Sequence, residues 1–354
     1  MNSFFESKLT GTRRPIAAMA LTSMATVLLL GCGSGSDTAA PSDPATSLTA
    51  STPSDPDPSP ASTPIPFPDP PQYIEVDVWG DERTDDVQFA SPNGVAIDAD
   101  GNVFTTEFNG ARLRKFTPQG KLLVAWGMTG SADGLFQNPT GVAIGPEGNV
   151  YVSESGNNRV QIFTAEGEWL GSWGTFGAGD GQFQSAMVLA IEPTGHVHVS
   201  DWGNNRIQVF DLDGNFLHSY GGFGQDPGEL ANPTGIKIGP DGNIWVVDRG
   251  NNRVQVFTPD GQSVRVWGSF GTEPGRFSTP TSINFDLDGY VYVSETRGSR
   301  VQIFTRHGQL MGEVAPGTFN GPHGLAFDST GALYVADTGN DVIRKFEKVE
   351  TATQ

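Results

Sequence analysis

An acidic residue followed five positions later by arginine recurs along this chain at a fixed interval. The five pairs are Glu107/Arg112, Glu154/Arg159, Asp201/Arg206, Asp248/Arg253 and Glu295/Arg300. Successive acids in these pairs lie 47 residues apart, and a sixth acid, Asp337, follows after 42 residues. A period of this length indicates a repeat architecture, in which each unit is one supersecondary element that buries its apolar face against its neighbours.

Each repeat unit predicts four short strands joined by tight turns. In the best-formed unit the predicted strands cover residues 141–144, 150–153, 160–163 and 169–173. The segments between them are short and contain glycine or asparagine, so they leave no room for a helix. Four antiparallel strands in 47 residues make a propeller blade. The predicted blades begin near Gly94, Gly141, Val188, Gly235, Ser282 and Gly324.

The two ends of the repeat region support a count of six blades. The last unit stops after its third strand, at residues 342–346, and only a few polar residues follow. The segment YIEVDVW, within residues 73–80, precedes the first unit and resembles its fourth strands. We therefore expect an all-β fold, a six-bladed β-propeller of four-stranded antiparallel blades that residues 73–80 close by completing the last blade, which removes exposed sheet edges.

The first 31 residues predict an export signal. Lys8, Arg13 and Arg14 precede a largely apolar stretch at residues 16–30, which is short for a membrane-spanning helix. The stretch ends in Leu-Leu-Gly followed by Cys32, the single cysteine of the chain, and this resembles a bacterial lipobox. The resemblance implies cleavage before Cys32 and attachment of acyl chains to it, which would hold the protein on a membrane.

Residues 32–71 predict a disordered tether rich in proline, serine and threonine. They carry hardly any large apolar side chains, so they cannot bury enough surface to offset the entropy lost on ordering. The expected organisation is a lipoprotein signal peptide at 1–31, the tether at 32–71, the propeller at 72–348 and a tail at 349–354. Gly33 after the cysteine favours the bacterial outer membrane under the sorting rule of lipoproteins.

The charge of the chain excludes one class of partner. The chain contains 40 acidic residues and 21 lysines and arginines, which gives a formal net charge of −19. Such a surface repels the phosphate backbone of nucleic acids, so we expect no nucleic-acid partner.

The repeat units resemble NHL repeats. The resemblance rests on NPTGVAI at residues 138–144 and VYVSESGNNRVQIF at 150–163. Residues 232–257 repeat both segments with substitutions. It covers about residues 73–347 and implies the propeller fold. Members of that wider group include RNA-binding regulators, extracellular sensor domains, peptidyl-α-hydroxyglycine amidating lyases and, more distantly, metal-dependent lactonases, so the resemblance leaves the function open.

Positions that vary between repeats are better candidates for function than positions that recur. The five acid and arginine pairs are expected to brace their own turns, because a catalytic group would not need five copies. The residue after each acid varies, and the six are Phe108, Ser155, Trp202, Arg249, Thr296 and Thr338. The residue that begins the first strand of each blade also varies, and the six are Asn93, Thr140, Met187, Thr234, Thr281 and His323.

Both sets are expected at one end of the central channel, where ligands of propellers bind. The candidate ligand-binding residues are therefore Asn93, Thr140, Met187, Thr234, Thr281, His323, Phe108, Trp202 and Arg249. Loops at residues 127–137, 174–184 and 221–231 are glycine-rich and would either close over a ligand or be loose.

Two enzyme alternatives concern His323 and Asn93. The resemblance to amidating lyases implies that a histidine at the position of His323 binds zinc, but the equivalent positions in the other blades hold no second histidine. The segment around Asn93 resembles one in the lactonases, which implies a divalent metal held by that asparagine in the channel; the rest of that ligand set has no counterpart here.

The sequence contains no pairing of a nucleophile with a base, no phosphate-binding loop and no metal cluster. It therefore favours a binding or scaffold module for a protein, peptide or small ligand, with no cofactor, anchored to the membrane through Cys32. A metal-dependent, lactonase-like hydrolase is the alternative, and a peptidyl-α-hydroxyglycine lyase comes after it.

Overall fold

Antiparallel sheets of four strands repeat around a central axis. The structure is a computed structural model that describes residues 70–80 and 88–349, and these residues form six four-stranded sheets. The six-bladed propeller predicted from the repeat is thereby confirmed. In each blade we call the strands a to d from the axis outward.

The first three blades contain the following strands. Blade 1 comprises β2 (Pro92–Ile97), β3 (Val103–Glu107), β4 (Arg112–Phe116) and β5 (Leu122–Trp126); blade 2 comprises β6 (Pro139–Ile144), β7 (Val150–Glu154), β8 (Arg159–Phe163) and β9 (Trp169–Trp173). Two short strands, β10 (Thr175–Phe176) and β11 (Gln182–Phe183), pair in the loop that follows. Blade 3 comprises β12 (Ala186–Ile191), β13 (Val197–Asp201), β14 (Arg206–Phe210) and β15 (Phe216–Gly221).

The other three blades follow the same order. Blade 4 comprises β16 (Pro233–Ile238), β17 (Ile244–Asp248), β18 (Arg253–Phe257) and β19 (Ser263–Trp267); blade 5 comprises β20 (Pro280–Phe285), β21 (Val291–Glu295), β22 (Arg300–Phe304) and β23 (Leu310–Glu313). Blade 6 comprises β24 (Pro322–Phe327), β25 (Leu333–Asp337), β26 (Val342–Lys348) and β1 (Tyr73–Trp79). Two 3-10 helices, Arg249–Asn251 and Thr338–Asn340, occupy the b-to-c turns of blades 4 and 6.

The N-terminal strand closes the ring as the sequence predicts. β1 pairs antiparallel with β26, from Tyr73 opposite Lys348 to Trp79 opposite Ile343. Trp79 is 2% exposed, and its ring lies 5.5 Å from Tyr334 of blade 6 and 5.5 Å from Phe116 of blade 1. One side chain thus joins the closing blade to the first, where truncation to alanine would cost about 3–5 kcal/mol.

The a strands surround the axis, each beside the next, and β24 returns to β2. They approach so closely that a side chain does not fit at some positions. A Cβ added to Gly94 would lie 2.4 Å from the carbonyl oxygen of Thr140, and one added to Gly324 would lie 2.4 Å from that of Asn93. Glycine at these two positions therefore lets neighbouring blades meet.

The recurring acid and arginine pairs hold each blade to the loop that enters it. Glu154 is fully buried and accepts hydrogen bonds from Arg159 Nε at 2.6 Å and Gln161 Nε2 at 2.9 Å. Arg159 also donates to the carbonyl oxygens of Ala132 and Leu135, at 2.9 Å each. The loop at residues 127–137 is therefore bonded to its own blade, so the expectation of a loose or closing segment is wrong for it.

The same arrangement recurs with small changes in the other blades. Arg206, Arg253 and Arg300 bind Asp201, Asp248 and Glu295 at 3.0, 2.6 and 2.7 Å. They also donate to loop carbonyls, including those of Gln182, Glu229 and Arg276. The loops at 174–184 and 221–231 are consequently held as well. In blade 6 the arginine stands seven positions after the acid, and Arg344 binds Asp337 at 2.6 Å.

Several sequence predictions lie outside the described residues. These are the signal peptide at 1–31, Cys32, the tether up to residue 69, and residues 350–354. Within the described part of the chain, no helix has the length and apolar character needed to cross a bilayer.

Candidate functional site

The six a strands enclose a channel with a volume of about 440 Å³. Its wall carries large apolar side chains toward one end, namely Ile97, Ile144, Ile191, Ile238 and Phe327 from five blades. The opposite end, where strand a begins and strand b turns into strand c, carries Asn93, Thr140, Thr281 and His323. We call this polar end the mouth. An apolar pocket of this size with a few polar groups at one end suits a small organic ligand.

Asn93 and His323 meet at the mouth although 230 residues separate them. The ring closure places β2 beside β24, and Asn93 Nδ2 lies 3.2 Å from His323 Nδ1. With the amide in this orientation, Asn93 donates to the ring nitrogen. Rotation of the amide by 180° presents its oxygen instead, which would accept from Nδ1–H and leave the lone pair of Nε2 free. The tautomer of His323 is therefore coupled to the orientation of the Asn93 amide, and Nε2 has a free lone pair only when the amide oxygen faces Nδ1–H.

Three threonines of the same set are buried at the mouth. Thr140 is 1% exposed, and its hydroxyl donates to the carbonyl oxygens of Ser153 and Ala186, both at 3.2 Å. Thr281 is 6% exposed and its hydroxyl contacts that of Thr296 at 2.5 Å, while Thr234 is 1% exposed. These positions join adjacent elements, and their role in binding stays a prediction. Met187 is half-buried, and its carbonyl accepts from Ser153 Oγ.

The variable turn residues surround the strand starts on the same end of the ring. Phe108, Ser155, Trp202, Arg249, Thr296 and Thr338 are all half-buried. Arg249 begins a 3-10 helix and stands close enough to His323 for its charge to act on the imidazole. Arg297, exposed in the next b-to-c turn, acts in turn on Arg249. The mouth therefore combines one imidazole with two guanidinium groups.

His323 is neutral at physiological pH in this environment. Burial disfavours the imidazolium, and the positive charge of Arg249 adds to that effect, so the pKa of His323 falls to about 4. Burial likewise lowers the pKa of Arg249, with a further contribution from Arg297. A neutral imidazole whose other nitrogen is held by an amide is able to accept a proton from a bound molecule.

Sequence reasoning missed two charged residues of the channel, Lys237 and Arg297. Lys237 lies on β16, where β2, β6, β12 and β24 all carry alanine, namely Ala96, Ala143, Ala190 and Ala326. Lysine at a strand position where four other blades have alanine is the sequence signal that identifies Lys237. Arg297 lies two positions after Glu295, whereas the variable set predicted from the sequence consists of the residues directly after each acid.

The other four histidines lie away from the mouth. His198 is buried in blade 3, where its Nε2 is 2.8 Å from Glu192 Oε1, and His196 Nδ1 is 3.4 Å from Glu192 Oε2. The hydrogen bond from His198 is the main reason that the pKa of Glu192 falls to about 2. His218 is on β15 and His307 is in the turn after β22. His323 is thus the one histidine that lines the channel.

The mouth is a poor match for a divalent cation. Within residues 70–80 and 88–349, no three histidine, cysteine or carboxylate side chains are grouped so that they would hold a metal. No carboxylate is among the described residues that line the channel, and the guanidinium of Arg249 acts on the same spot. Hard cations need several oxygen ligands, so Asn93 and His323 alone do not fit one.

A family model described as the Virginiamycin B lyase family matches residues 86–346. The match spans all six a strands, both variable sets at the mouth and the channel wall. The NHL resemblance is thus confirmed for the propeller architecture only, since the family matched is a different one. No curated protein matches the chain.

Two solved structures illustrate the likeness. One is a catalytically inactive histidine-to-alanine variant of virginiamycin B lyase from Staphylococcus aureus with quinupristin; it is 18% identical, the match covers 75% of this chain and 83% of that chain, and the TM-score is 0.56. The other is a gluconolactonase from Xanthomonas campestris, 15% identical, with 79% of this chain and 95% of that chain covered and a TM-score of 0.59. At these identities the likeness shows the fold alone.

Proposed function

The chain belongs to the Virginiamycin B lyase family, and we propose that it is an enzyme that acts on a small organic molecule at the mouth of its channel. In this proposal His323 transfers the proton, and the reaction is an elimination of the lyase type. The observation that carries it is the contact of 3.2 Å between Asn93 and His323 at the polar end of an apolar channel. This departs from the sequence-based preference for a binding or scaffold module.

The chemistry of the mouth suits proton abstraction from carbon. A lyase breaks a bond without adding water, and the reaction needs a base that removes a proton beside an electron-withdrawing group. His323 is neutral, and when the Asn93 amide oxygen accepts from Nδ1–H, Nε2 has the lone pair that removes the proton. Arg249 stands where a developing negative charge on the substrate would be stabilised.

The related lyase adds independent support. A histidine-to-alanine change makes virginiamycin B lyase from Staphylococcus aureus catalytically inactive. The present chain has five histidines, and His323 is the one that lines the channel. In the proposal, His323 takes the role of the histidine that the related lyase requires.

The test is turnover of a panel of cyclic substrates by the full chain. The panel contains quinupristin and gluconolactone, and mass spectrometry separates the outcomes because elimination within a ring leaves the mass unchanged whereas hydrolysis adds one water. We expect an unchanged product mass and a loss of about 100-fold or more in kcat/KM for His323→Ala. His307→Ala is the matched control in an exposed turn. Full activity of His323→Ala would remove His323 from the mechanism.

A different outcome would favour the binding module. If no member of the panel is turned over but quinupristin binds the wild-type chain in calorimetry, the mouth is a recognition surface. Replacement of Trp202, Arg249 and His323 together should then abolish binding.

We further propose that the protein is exported and attached to the outer membrane of a bacterial cell through Cys32. The support is the basic and apolar leader that ends at the single cysteine of the chain. Cys32→Ser should release the protein into the soluble envelope fraction, and continued sedimentation with membranes would contradict the anchor.

A further inference from the structure

The channel has the opposite charge to the rest of the protein. The chain carries 40 acidic residues and 21 lysines and arginines. Among the described residues that line the channel, however, the ionisable side chains are Lys237 and His323, and both are basic. In a chain with a net charge of −19, chance placement would favour carboxylates at this surface. The charge of the channel therefore needs an explanation of its own.

Arg249 and Arg297 extend this basic character to the mouth. They come from the b-to-c turns of blades 4 and 5. Neither side chain forms an ion pair or a hydrogen bond with the described residues, whereas Arg253 and Arg300, four and three positions further on, bind carboxylates at 2.6 and 2.7 Å. Among the described residues, these two guanidinium groups therefore lie in neighbouring turns at the mouth without a carboxylate partner.

Lys237 adds a third cation, and this one lines the channel. Its side chain is half-buried, and burial lowers the pKa of its ammonium group. It forms no ion pair within the described part of the chain, and four of the other five blades place alanine at its position. Lys237 stands three positions after Thr234 of the mouth along strand a, a distance of about 10 Å.

We propose that the channel is a binding site for an organic anion, with a carboxylate or similar oxyanion held by Arg249 and Arg297 and an apolar body lying along the wall toward Lys237. Burial deprives Arg249 and Lys237 of part of their hydration, and a ligand of opposite charge would offset that loss. Guanidinium groups bind carboxylates through two parallel hydrogen bonds, which gives strength and orientation. The isoleucine-rich wall and the volume of about 440 Å³ suit the rest of a small molecule.

As a statement about substrate class, this inference rests on the proposed enzyme, because the anion would occupy the same mouth as His323. The binding itself does not depend on turnover. Burial is the main cause of the low pKa of His323 and the charge of Arg249 is the smaller one; an anion beside Arg249 would offset this second contribution.

The experiment compares two probes of the same shape that differ in charge. Calorimetry on the full chain at low ionic strength would measure the binding of benzoate and of benzamide. We expect benzoate to bind at least about tenfold more tightly than benzamide, since hydrogen bonds to charged groups contribute more than neutral ones. Arg249→Met should remove this preference, and Lys237→Met should weaken it.

The matched control is Arg306→Met. Arg306 is an exposed arginine in the c-to-d turn of blade 5, at the end of the ring opposite the mouth. This variant should bind benzoate as the wild type does. Equal losses in Arg249→Met and Arg306→Met would overturn the site, because the effect would then be one of total charge.

Two further results would decide against the proposal. Equal affinities for benzoate and benzamide, or no binding of either, would overturn it. His323→Ala should retain the preference for benzoate while losing turnover, so failure of the anion site and failure of the proposed catalysis are distinguishable. Arg297→Met, an exposed change, provides a second test if Arg249→Met unfolds the protein.

Discussion

Arg249 and Arg253 lie four residues apart in one turn of blade 4, yet their surroundings differ completely. Arg253 donates from Nε to the buried carboxylate of Asp248 at 2.6 Å and to the carbonyl oxygens of Glu229 and Gln225. Arg249 has no such partner among the described residues, and its charge acts on His323 while that of Arg297 acts on Arg249. The repeated arginine is part of the framework, and the unrepeated one lies at the mouth of the channel.

The difference shows how a repeat protein separates stability from function. Each framework arginine joins a strand, an acid and a loop, so its hydrogen bonds are satisfied inside its own blade. Arg249 and Arg297 project from the same kind of turn but form no hydrogen bond or ion pair with the described residues. They are therefore available to a ligand. Substitutions in the framework should lower the stability of the fold, whereas substitutions of these two arginines should leave stability nearly unchanged and affect ligand binding.

The largest expected effect comes from breaking the framework of blade 4. Asp248 is fully buried and accepts hydrogen bonds from Arg253, Asn251 and Gln255. Asp248→Ala should lower the free energy of unfolding by about 3–5 kcal/mol, because it leaves a partly buried guanidinium unpaired. Arg249→Ala, one residue away, should change it by less than about 0.5 kcal/mol. Urea denaturation of both variants measures the contrast, and equal losses would contradict the separation.

Blade 1 allows a sharper test, because two arginines share one acid there. Arg114 Nε lies 2.5 Å from Glu107 Oε1 and its side chain is 6% exposed, while Arg112 Nε lies at 3.3 Å and its side chain is 40% exposed. Arg114→Ala should destabilise the protein by about 3 kcal/mol. Arg112→Ala should cost less than about 1 kcal/mol, as expected for an exposed pair. If Arg112 proves the more important, the repeat position rather than burial determines the framework.

The smallest of the three effects is a dependence of stability on pH. The pKa of His323 is about 4 in the folded protein and about 6.5 when unfolded. The unfolded state therefore binds more protons between these values, so stability is complete above pH 6.5 and is lost as the pH falls toward 4. By about pH 5 the loss should be roughly 2 kcal/mol, and His323→Ala should remove it.

Glu192 provides the contrasting case for the same titration. Its pKa is lowered to about 2 by the hydrogen bond from His198, so its contribution is present above pH 4.5 and is lost as the pH falls through 2. Between about pH 5 and 7.5, a window set by the two unfolded pKa values, the pH dependence of urea unfolding should decrease in His323→Ala and hardly change in Glu192→Gln. The reverse result would show that the channel histidine is not held neutral.

The sequence predicted the fold to the level of individual blades. The predicted first strands begin within two residues of the observed ones, as with Gly141 against Pro139 of β6. The missing fourth strand of the last blade and its replacement by residues 73–79 also followed from the sequence. The glycine-rich loops were judged incorrectly, because composition does not reveal that Arg159 and Gln161 bind their carbonyls.

What the sequence determined by itself is the frame, since a period of 47 residues and an incomplete last unit allow one closed ring. Only the tertiary structure decided which of the residues that vary between repeats contact one another. Asn93 and His323 come together because the ring closes between blades 6 and 1, and Arg249 faces His323 from another blade. The period can be read from the linear sequence because every repeat carries the same pattern of residues. Contact between a few unrepeated side chains depends on the closure and diameter of the whole ring, which no single repeat contains.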